Sequence, residues 1–154
     1  MTNVRTWAAV ILATTTVPAF AAGELGDYRC SLDSVTKEQM SEEHRQLVVD
    51  VRTGLAVHFF SSWSLSSSDP DLRPGYAVTC ERDLSRFRQT KSRTKGEVLL
   101  RYQPNEYEQD HRGCEVRIVE GTRALQVVSS GCAYQCLNLN LSLPKDGQVC
   151  KVWK

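Results

Sequence analysis

Six cysteines constrain the fold of this chain more than any other feature of its sequence. They are Cys30, Cys80, Cys114, Cys132, Cys136 and Cys150. An even number of cysteines in an exported chain predicts disulfides, here three. A metal site is not expected, because the sequence has no Cys-x-x-Cys pair and only His111 and Cys114 form a histidine–cysteine pair at a ligand spacing. The cysteines therefore predict a rigid, disulfide-braced domain.

The first 21 residues predict export. Arg5 precedes the apolar run Trp7–Ala13, which is too short to span a bilayer, and Pro18–Ala21 supplies small residues before a cleavage site. We expect a signal peptide over residues 1–21, cleavage after Ala21, and a single β domain over residues 22–154. The expected location is the periplasm or the exterior, without membrane insertion. Cleavage would remove Arg5 and leave 18 basic and 18 acidic residues. The net charge of the mature chain is then near zero, which argues against nucleic acid as a partner.

The hydrophobic pattern of the mature chain is typical of a mainly β protein. Apolar and polar residues alternate over Leu47–Phe60, around Thr53-Gly54, and again over Leu137–Leu143. We expect about eight short strands in a small antiparallel barrel or sandwich. One short N-terminal helix is predicted over Lys37–Leu47, where Thr36 and Gln39 have capping-box spacing, and a long exposed loop is the alternative. Residues 61–75 are expected to form a Ser-rich loop.

The stretch Gly113–Cys136 predicts a β-hairpin that carries one of the disulfides. A register centred on Gly121-Thr122 brings Cys114 close to Cys132 if a bulge at Ser130-Gly131 takes up the extra residues. Cys114–Cys132 is therefore the favoured pair, and the six cysteines allow fifteen connectivities in all. A redox role for Cys132 and Cys136 is not expected, because their spacing differs from the redox motif.

The sequence shows no catalytic constellation. Neither Gly-x-Ser-x-Gly nor His-Glu-x-x-His occurs. His58 is expected in the core or at its rim, His111 in solvent, and Glu106, Glu108 and Asp110 in a solvated acidic loop. We therefore expect a protein that is not an enzyme and has no cofactor. An enzyme with an unrecognised site, in which a histidine lies beside two carboxylates, is the alternative.

A basic run between Arg82 and Lys95 is the most polarised part of the chain. Together with the tryptophan of the Ser-rich loop, its cations are the candidates for binding a partner protein. The candidates are Trp63, Arg82, Arg86, Arg88, Lys91, Arg93 and Lys95. Arginines on a rigid hairpin can make bidentate contacts with carboxylates. The alternatives are a solvated hairpin, a Trp63 side chain docked on the core, and a counterpart within the chain, the acidic loop 106–110.

Four features of the chain resemble the small periplasmic lysozyme inhibitors of Gram-negative bacteria. These features are the leader, the segment Tyr28-Arg29-Cys30, the series of short strands and the position of Cys150 in the last strand. They also resemble the periplasmic immunity proteins that neutralise cell-wall-degrading effectors. The resemblance implies a small barrel tied from its first to its last strand by a disulfide. This chain is longer, has four further cysteines and lacks the Ser- and Lys-containing inhibitory loops, so no inhibitory residue is assigned.

The function that we expect from the sequence is an exported binding protein that blocks another protein. The expected target is a lysozyme-like or amidase hydrolase of the cell wall, because the resemblance implies that a rigid domain plugs the active site of such an enzyme. The alternative is a structural or adhesive component of the cell envelope.

Overall fold

A computed structural model describes residues 25–68, 77–92, 94–108 and 113–153. The predicted signal peptide, with its cleavage site after Ala21, lies outside these ranges. Within them, no helix has the length and apolar character needed to cross a membrane.

The described chain is mainly β, as predicted, and contains ten strands rather than eight. The strands are β1 (Tyr28–Glu38), β2 (Ser41–Arg52), β3 (Leu55–Ser67), β4 (Ala77–Asp83), β5 (Phe87–Lys91), β6 (Glu97–Tyr102), β7 (Glu115–Glu120), β8 (Ala124–Ser130), β9 (Asn140–Pro144) and β10 (Cys150–Val152). Two short 3₁₀ turns, Leu84–Arg86 and Gln135–Leu137, are the helical segments in these ranges.

The strands form two antiparallel sheets of five strands each. Sheet A has the order β10-β1-β2-β3-β4, and sheet B has the order β5-β6-β7-β8-β9. The two sheets do not close into a barrel within the described ranges. Neighbours in sequence are neighbours in each sheet, except that β10 returns to pair with β1.

The predicted helix over Lys37–Leu47 is wrong. Glu38 and Ser41 lie opposite each other, and the two-residue turn between them places Gln39 at a positive φ of 45°. The β2 strand then pairs with β1 on one side and with β3 on the other, so both of its edges have backbone partners. Pairing on both sides outweighs a capping signal whose helix would have had a weak apolar face.

The Ser-rich segment begins as strand rather than loop. The β3 strand continues through Ser67, because its serines lie opposite residues 41–47 of β2. The hairpin around Thr53-Gly54 is confirmed. Residues 69–75 of the predicted loop lie outside the described ranges.

The core lies between the two sheets, and the alternating residues of both supply it. Leu47 and Val49 of sheet A belong to the same buried cluster as Val116 and Ile118 of sheet B. Burial of a side chain of this size contributes about 1.5–3 kcal/mol, so these alternating residues specify which face of each strand turns inward.

Three disulfides brace the two sheets. They are Cys30–Cys150, Cys80–Cys136 and Cys114–Cys132. The first links β1 to β10, so that the two ends of the described chain are joined within sheet A. The second joins β4 of sheet A to the 3₁₀ turn that precedes β9 of sheet B.

The predicted Cys114–Cys132 bridge is confirmed, although the predicted register is wrong by two residues. The turn of the hairpin lies further along the chain, so that Glu115 is opposite Ser130. Continuing this register places Gly131 opposite Cys114, with Cys132 directly after it. The cysteines therefore meet without the predicted bulge.

Gly131 has a specific reason to be glycine. Its φ is +66°, and a Cβ atom there would lie 2.7 Å from the carbonyl oxygen of Gly113. Glycine permits both the left-handed backbone and the close approach of the two chain segments next to the disulfide.

Candidate functional site

The fold divides the basic run into an internal part and an exposed part. Arg82 at the end of β4 and Arg86 in the 3₁₀ turn both bind the carboxylate of Glu108. Arg82 Nη2 lies 3.1 Å from Glu108 Oε1, and Arg82 Nε donates to the hydroxyl of Tyr102 at 2.8 Å. The guanidinium of Arg82 also lies 4.2 Å from the ring centroid of Tyr134. We call these five residues the Glu108 cluster.

The Glu108 cluster keeps its carboxylate ionised. Burial acts to raise the pKa of Glu108, but hydrogen bonds from the Asn105 backbone, Tyr134 and Tyr102, together with the charge of Arg86, outweigh it and lower the pKa to about 2. The ion pairs therefore persist at any pH that the folded protein normally meets.

The internal counterpart, the alternative interpretation of the basic run, is the observed arrangement for Glu108, and the expectation of a solvated Glu108 is wrong because its carboxylate is held by two arginines. Glu106, which belongs to the same loop, is exposed, and Asp110 lies outside the described residues. Because Arg82 and Arg86 already hold a carboxylate, the cluster fixes the loop after β6 against the corner between β4 and β5. Binding of a partner protein by Arg82 and Arg86 stays a prediction. Their contacts with Glu108 do not favour it.

The exposed part of the run lies along β5 and the turn after it. Arg88 is exposed on β5, and Lys95 is exposed in the turn before β6. Lys91 is the last residue of β5, opposite Val98, and its side chain is not described. Arg93 lies outside the described residues. Of the exposed cations in this part of the run, Arg88 is therefore the one whose side chain is described on a regular strand.

Arg88 belongs to a charged surface that sequence reasoning did not identify. Its direct cross-strand neighbour is Arg101 of β6, and Arg117 of β7 is exposed on the same face. Arg101 Nε lies 2.7 Å from Glu115 Oε1, and Arg117 Nη2 lies 3.7 Å from Glu115 Oε2. We call this surface the sheet B outer face. Arg88 has no ion-pair partner among the described residues, so none of them neutralises the charge of its guanidinium.

Trp63 lies on β3, opposite Cys80, and not in a loop. Its side chain is partly buried and packs against the core. The indole Nε1 donates to Glu43 Oε1 at 2.8 Å, and the same oxygen lies 3.4 Å from Arg45 Nη2. The alternative in which Trp63 packs against the core is therefore the observed arrangement, and its contribution to partner binding remains a prediction.

The β1–β2 hairpin extends beyond the core as an arm. No residue from 33 to 46 is buried, and Val35 and Met40 are 51% and 53% exposed. Six residues of strand on each side of the turn span about 20 Å. The third strand of this arm is the Ser-rich half of β3. The arm is a projecting surface whose side chains contribute little to the core.

The two described histidines, His44 and His58, lie apart from each other on β2 and β3. His58 is exposed opposite Asp50, not in the core, and His111 lies outside the described residues. His44 Nε2 lies 2.6 Å from Asp33 Oδ1, and hydrogen bonds from His44 and Gln46 lower the pKa of the Asp33 carboxyl. This pair lies on the open outer side of the arm. In the described part of the chain, no group of three or more His, Cys, Asp or Glu is placed to hold a metal ion.

Comparison of the chain with protein-family models, curated proteins and solved structures finds no match. The fold and the contacts described above are therefore the basis for assigning a function.

Proposed function

We propose that this protein is exported and blocks another protein, a hydrolase of the cell wall, by binding it through the sheet B outer face. The observation that supports the proposal is the direct cross-strand pairing of Arg88 with Arg101. Three disulfides are consistent with an oxidising compartment, the periplasm or the exterior.

The Arg88–Arg101 pair opposes folding and favours binding. Like charges directly opposite each other on neighbouring strands destabilise a sheet. Glu115 neutralises part of the charge of Arg101, whereas Arg88 has no such carboxylate among the described residues. A partner carboxylate placed between the two guanidiniums would form charge-assisted, bidentate hydrogen bonds and relieve the repulsion.

A hydrolase cleft supplies the carboxylates that such a surface requires. Most glycoside hydrolases act with a pair of Asp or Glu side chains on either side of the scissile bond. Two arginines held side by side on a sheet are complementary to such a pair. Because β5 and β6 are already ordered, binding would have a small cost in conformational entropy.

Protection of peptidoglycan from lysis tests the proposal. The mature protein is added to a lysozyme and, separately, to a peptidoglycan amidase, and the loss of turbidity of peptidoglycan suspensions is followed. We expect slower lysis with one of them, and Arg88→Glu is expected to raise the half-inhibitory concentration at least about tenfold. Arg123→Glu is the matched control, because Arg123 is an exposed arginine in the β7–β8 turn.

Two results would contradict this assignment. Failure of the unsubstituted protein to protect peptidoglycan from either enzyme, or to retain any hydrolase from a periplasmic extract, would reject the hydrolase target. Equal losses for Arg88→Glu and Arg123→Glu would show that general positive charge, and not the Arg88–Arg101 pair, is responsible.

A structural role in the cell envelope is a second candidate, and the β4 edge strand beside the arm favours it. The segment Ala77–Thr79 at the start of β4 is exposed, and β4 is an edge strand of sheet A within the described ranges. Edge strands without Lys or Pro are prone to pair with other chains. Concentration-dependent self-association in sedimentation velocity, abolished by Val78→Lys, would support this role, and a monomer at all concentrations would reject it.

A further inference from the structure

A groove at the β10 edge of sheet A lies apart from the surfaces considered so far. It is lined by Arg29, Gly147, Lys151, Val152 and Trp153, and its volume is about 490 Å³. This volume falls within the range of sites for small organic ligands, about 300–1,000 Å³. Val152 is 67% exposed, so the groove presents apolar surface to solvent.

The indole of Trp153 is held in place by two guanidiniums. Arg29 Cζ lies 4.0 Å from the ring centroid and Arg52 Cζ lies 4.2 Å from it. The backbone N–H of Trp153 donates to the carbonyl of Asp27 at 3.1 Å. Cation–π contacts of this kind attract each guanidinium to the face of the ring. The aromatic wall of the groove is therefore ordered before any ligand arrives.

The groove also contains a pair of like charges. Arg29 and Lys151 are direct cross-strand neighbours, and the adjacent pair in the register is the Cys30–Cys150 disulfide. The nearby Asp50 is buried and binds Arg29 at 3.2 Å. Lys151 is exposed and has no ion-pair partner in the described ranges. The disulfide thus holds the two cations opposite each other, although β10 has only three residues and repulsion would otherwise promote its fraying.

We propose that this groove binds a small organic carboxylate that carries an apolar body. The carboxylate lies between Lys151 and Arg29. The apolar body packs against the exposed part of Trp153 and extends over the β10 edge to Val152, whose side chain lies on the opposite face of the strand from Lys151. Charge complementarity selects the anion, and the exposed apolar surface selects against a simple inorganic ion. The site lies on sheet A and is independent of the hydrolase-binding proposal, which rests on sheet B.

Titration of the ¹⁵N-labelled mature protein with octanoate tests this assignment by NMR. We expect saturable shifts that are largest at the Val152 amide and at the amide and indole signals of Trp153. Acetate has the charge without the apolar body, and octan-1-ol has the apolar body without the charge. Each is expected to bind at least about tenfold more weakly than octanoate.

Two variants locate the binding groups. Lys151→Glu is expected to weaken octanoate binding at least tenfold, while Arg123→Glu, a matched reversal of charge on sheet B, leaves it unchanged. Val152→Ser is expected to weaken octanoate but not acetate. Octanol binding as tight as octanoate, shifts spread evenly over the surface, the absence of saturable shifts, or equal effects of the two charge reversals would each overturn the proposal.

Discussion

The Glu108 cluster predicts a large effect of a very small substitution, Glu108→Gln. Glutamine has nearly the same shape as glutamate, so the variant removes the negative charge and little else. Arg82 and Arg86 then lose their carboxylate, while the Glu108 side chain is only 13% exposed and solvent compensates poorly. The hydroxyls of Tyr102 and Tyr134, which stabilise the ionised carboxyl, lose a charged acceptor.

The magnitude follows from the pKa of the carboxyl. A fall from the ordinary value of 4.5 to about 2 in the folded protein corresponds to about 3 kcal/mol of stability, at about 1.4 kcal/mol for each tenfold change. Because the folded pKa is depressed, this stability is fully present above pH 4.5 and is lost as the pH falls through 2. We expect Glu108→Gln to lower the free energy of unfolding by about 2–3 kcal/mol at pH 7.

Urea unfolding between pH 2 and pH 7, with the disulfides intact, measures this effect. Urea is preferred to guanidinium chloride because it does not screen ion pairs. Glu106→Gln is the matched control, since Glu106 is an exposed glutamate of the same loop, and we expect it to change stability by less than about 0.5 kcal/mol. The reasoning is refuted if the two variants have equal stability at pH 7, or if their difference is as large at pH 2 as at pH 7.

Two further substitutions test how the sheets are braced. Replacing Cys30 and Cys150 together by alanine should lower the free energy of unfolding by about 5 kcal/mol in calorimetry or urea titration, because the disulfide closes a loop of 120 residues. Gly131→Ala should cost at least about 2 kcal/mol, since it adds a clash with the Gly113 carbonyl to the strain of a positive φ. Gly147 also has a positive φ, but a Cβ atom there would have nothing within 4 Å. Gly147→Ala should therefore lower the free energy of unfolding by only about 1 kcal/mol. Equal losses of stability for the two variants would exclude the clash at Gly131.

The features predicted correctly from the sequence depend on local pattern. The alternation over Leu137–Leu143 correctly predicts an apolar face, with Leu137, Leu139 and Leu143 in the core, although the strand β9 begins only at Asn140. The hairpin around Thr53-Gly54 follows from a short turn between two β-branched runs. A period of two can be read from neighbouring residues, so these predictions required no knowledge of the sheet order.

The features that were missed depend on contacts distant in sequence. The residues predicted as a helix form the end of β1, a two-residue turn and the first part of β2, because β3 supplies a second set of backbone partners for a segment whose own pattern is weak. Val35 on β1 and Met40 in the turn after it remain exposed on the arm. An arm that extends past the core leaves almost no hydrophobic signature by which its strands could be recognised.

The candidate site illustrates the same limit. The charge of its own segment indicates Arg88 as a candidate for partner binding. Its neighbour Arg101 lies on the next strand, within the apolar pattern Glu-Val-Leu-Leu-Arg-Tyr. A register centred on Thr94 and Lys95 would have paired them, and the Gly96 that follows is the signal for such a turn. The pairing of Arg82 and Arg86 with Glu108 was foreseen only as an alternative, because charge alone does not reveal which cations the chain neutralises.

The cations at the Glu108 cluster, at Arg88 and at Lys151 differ in the origin of their counter-ion. This difference distinguishes cations that stabilise the fold from cations that are available for binding. At the Glu108 cluster the chain supplies the carboxylate, and the ion pairs brace a loop. At Arg88 and at Lys151 each cation stands opposite a second cation and has no ion-pair partner among the described residues. Replacing either with a neutral residue would remove repulsion within a sheet, a gain of a few tenths of a kcal/mol to about 1 kcal/mol. Side chains that oppose folding are expected where activity requires them, so these two positions, and not the more densely basic internal cluster, are where an anionic partner or ligand should bind.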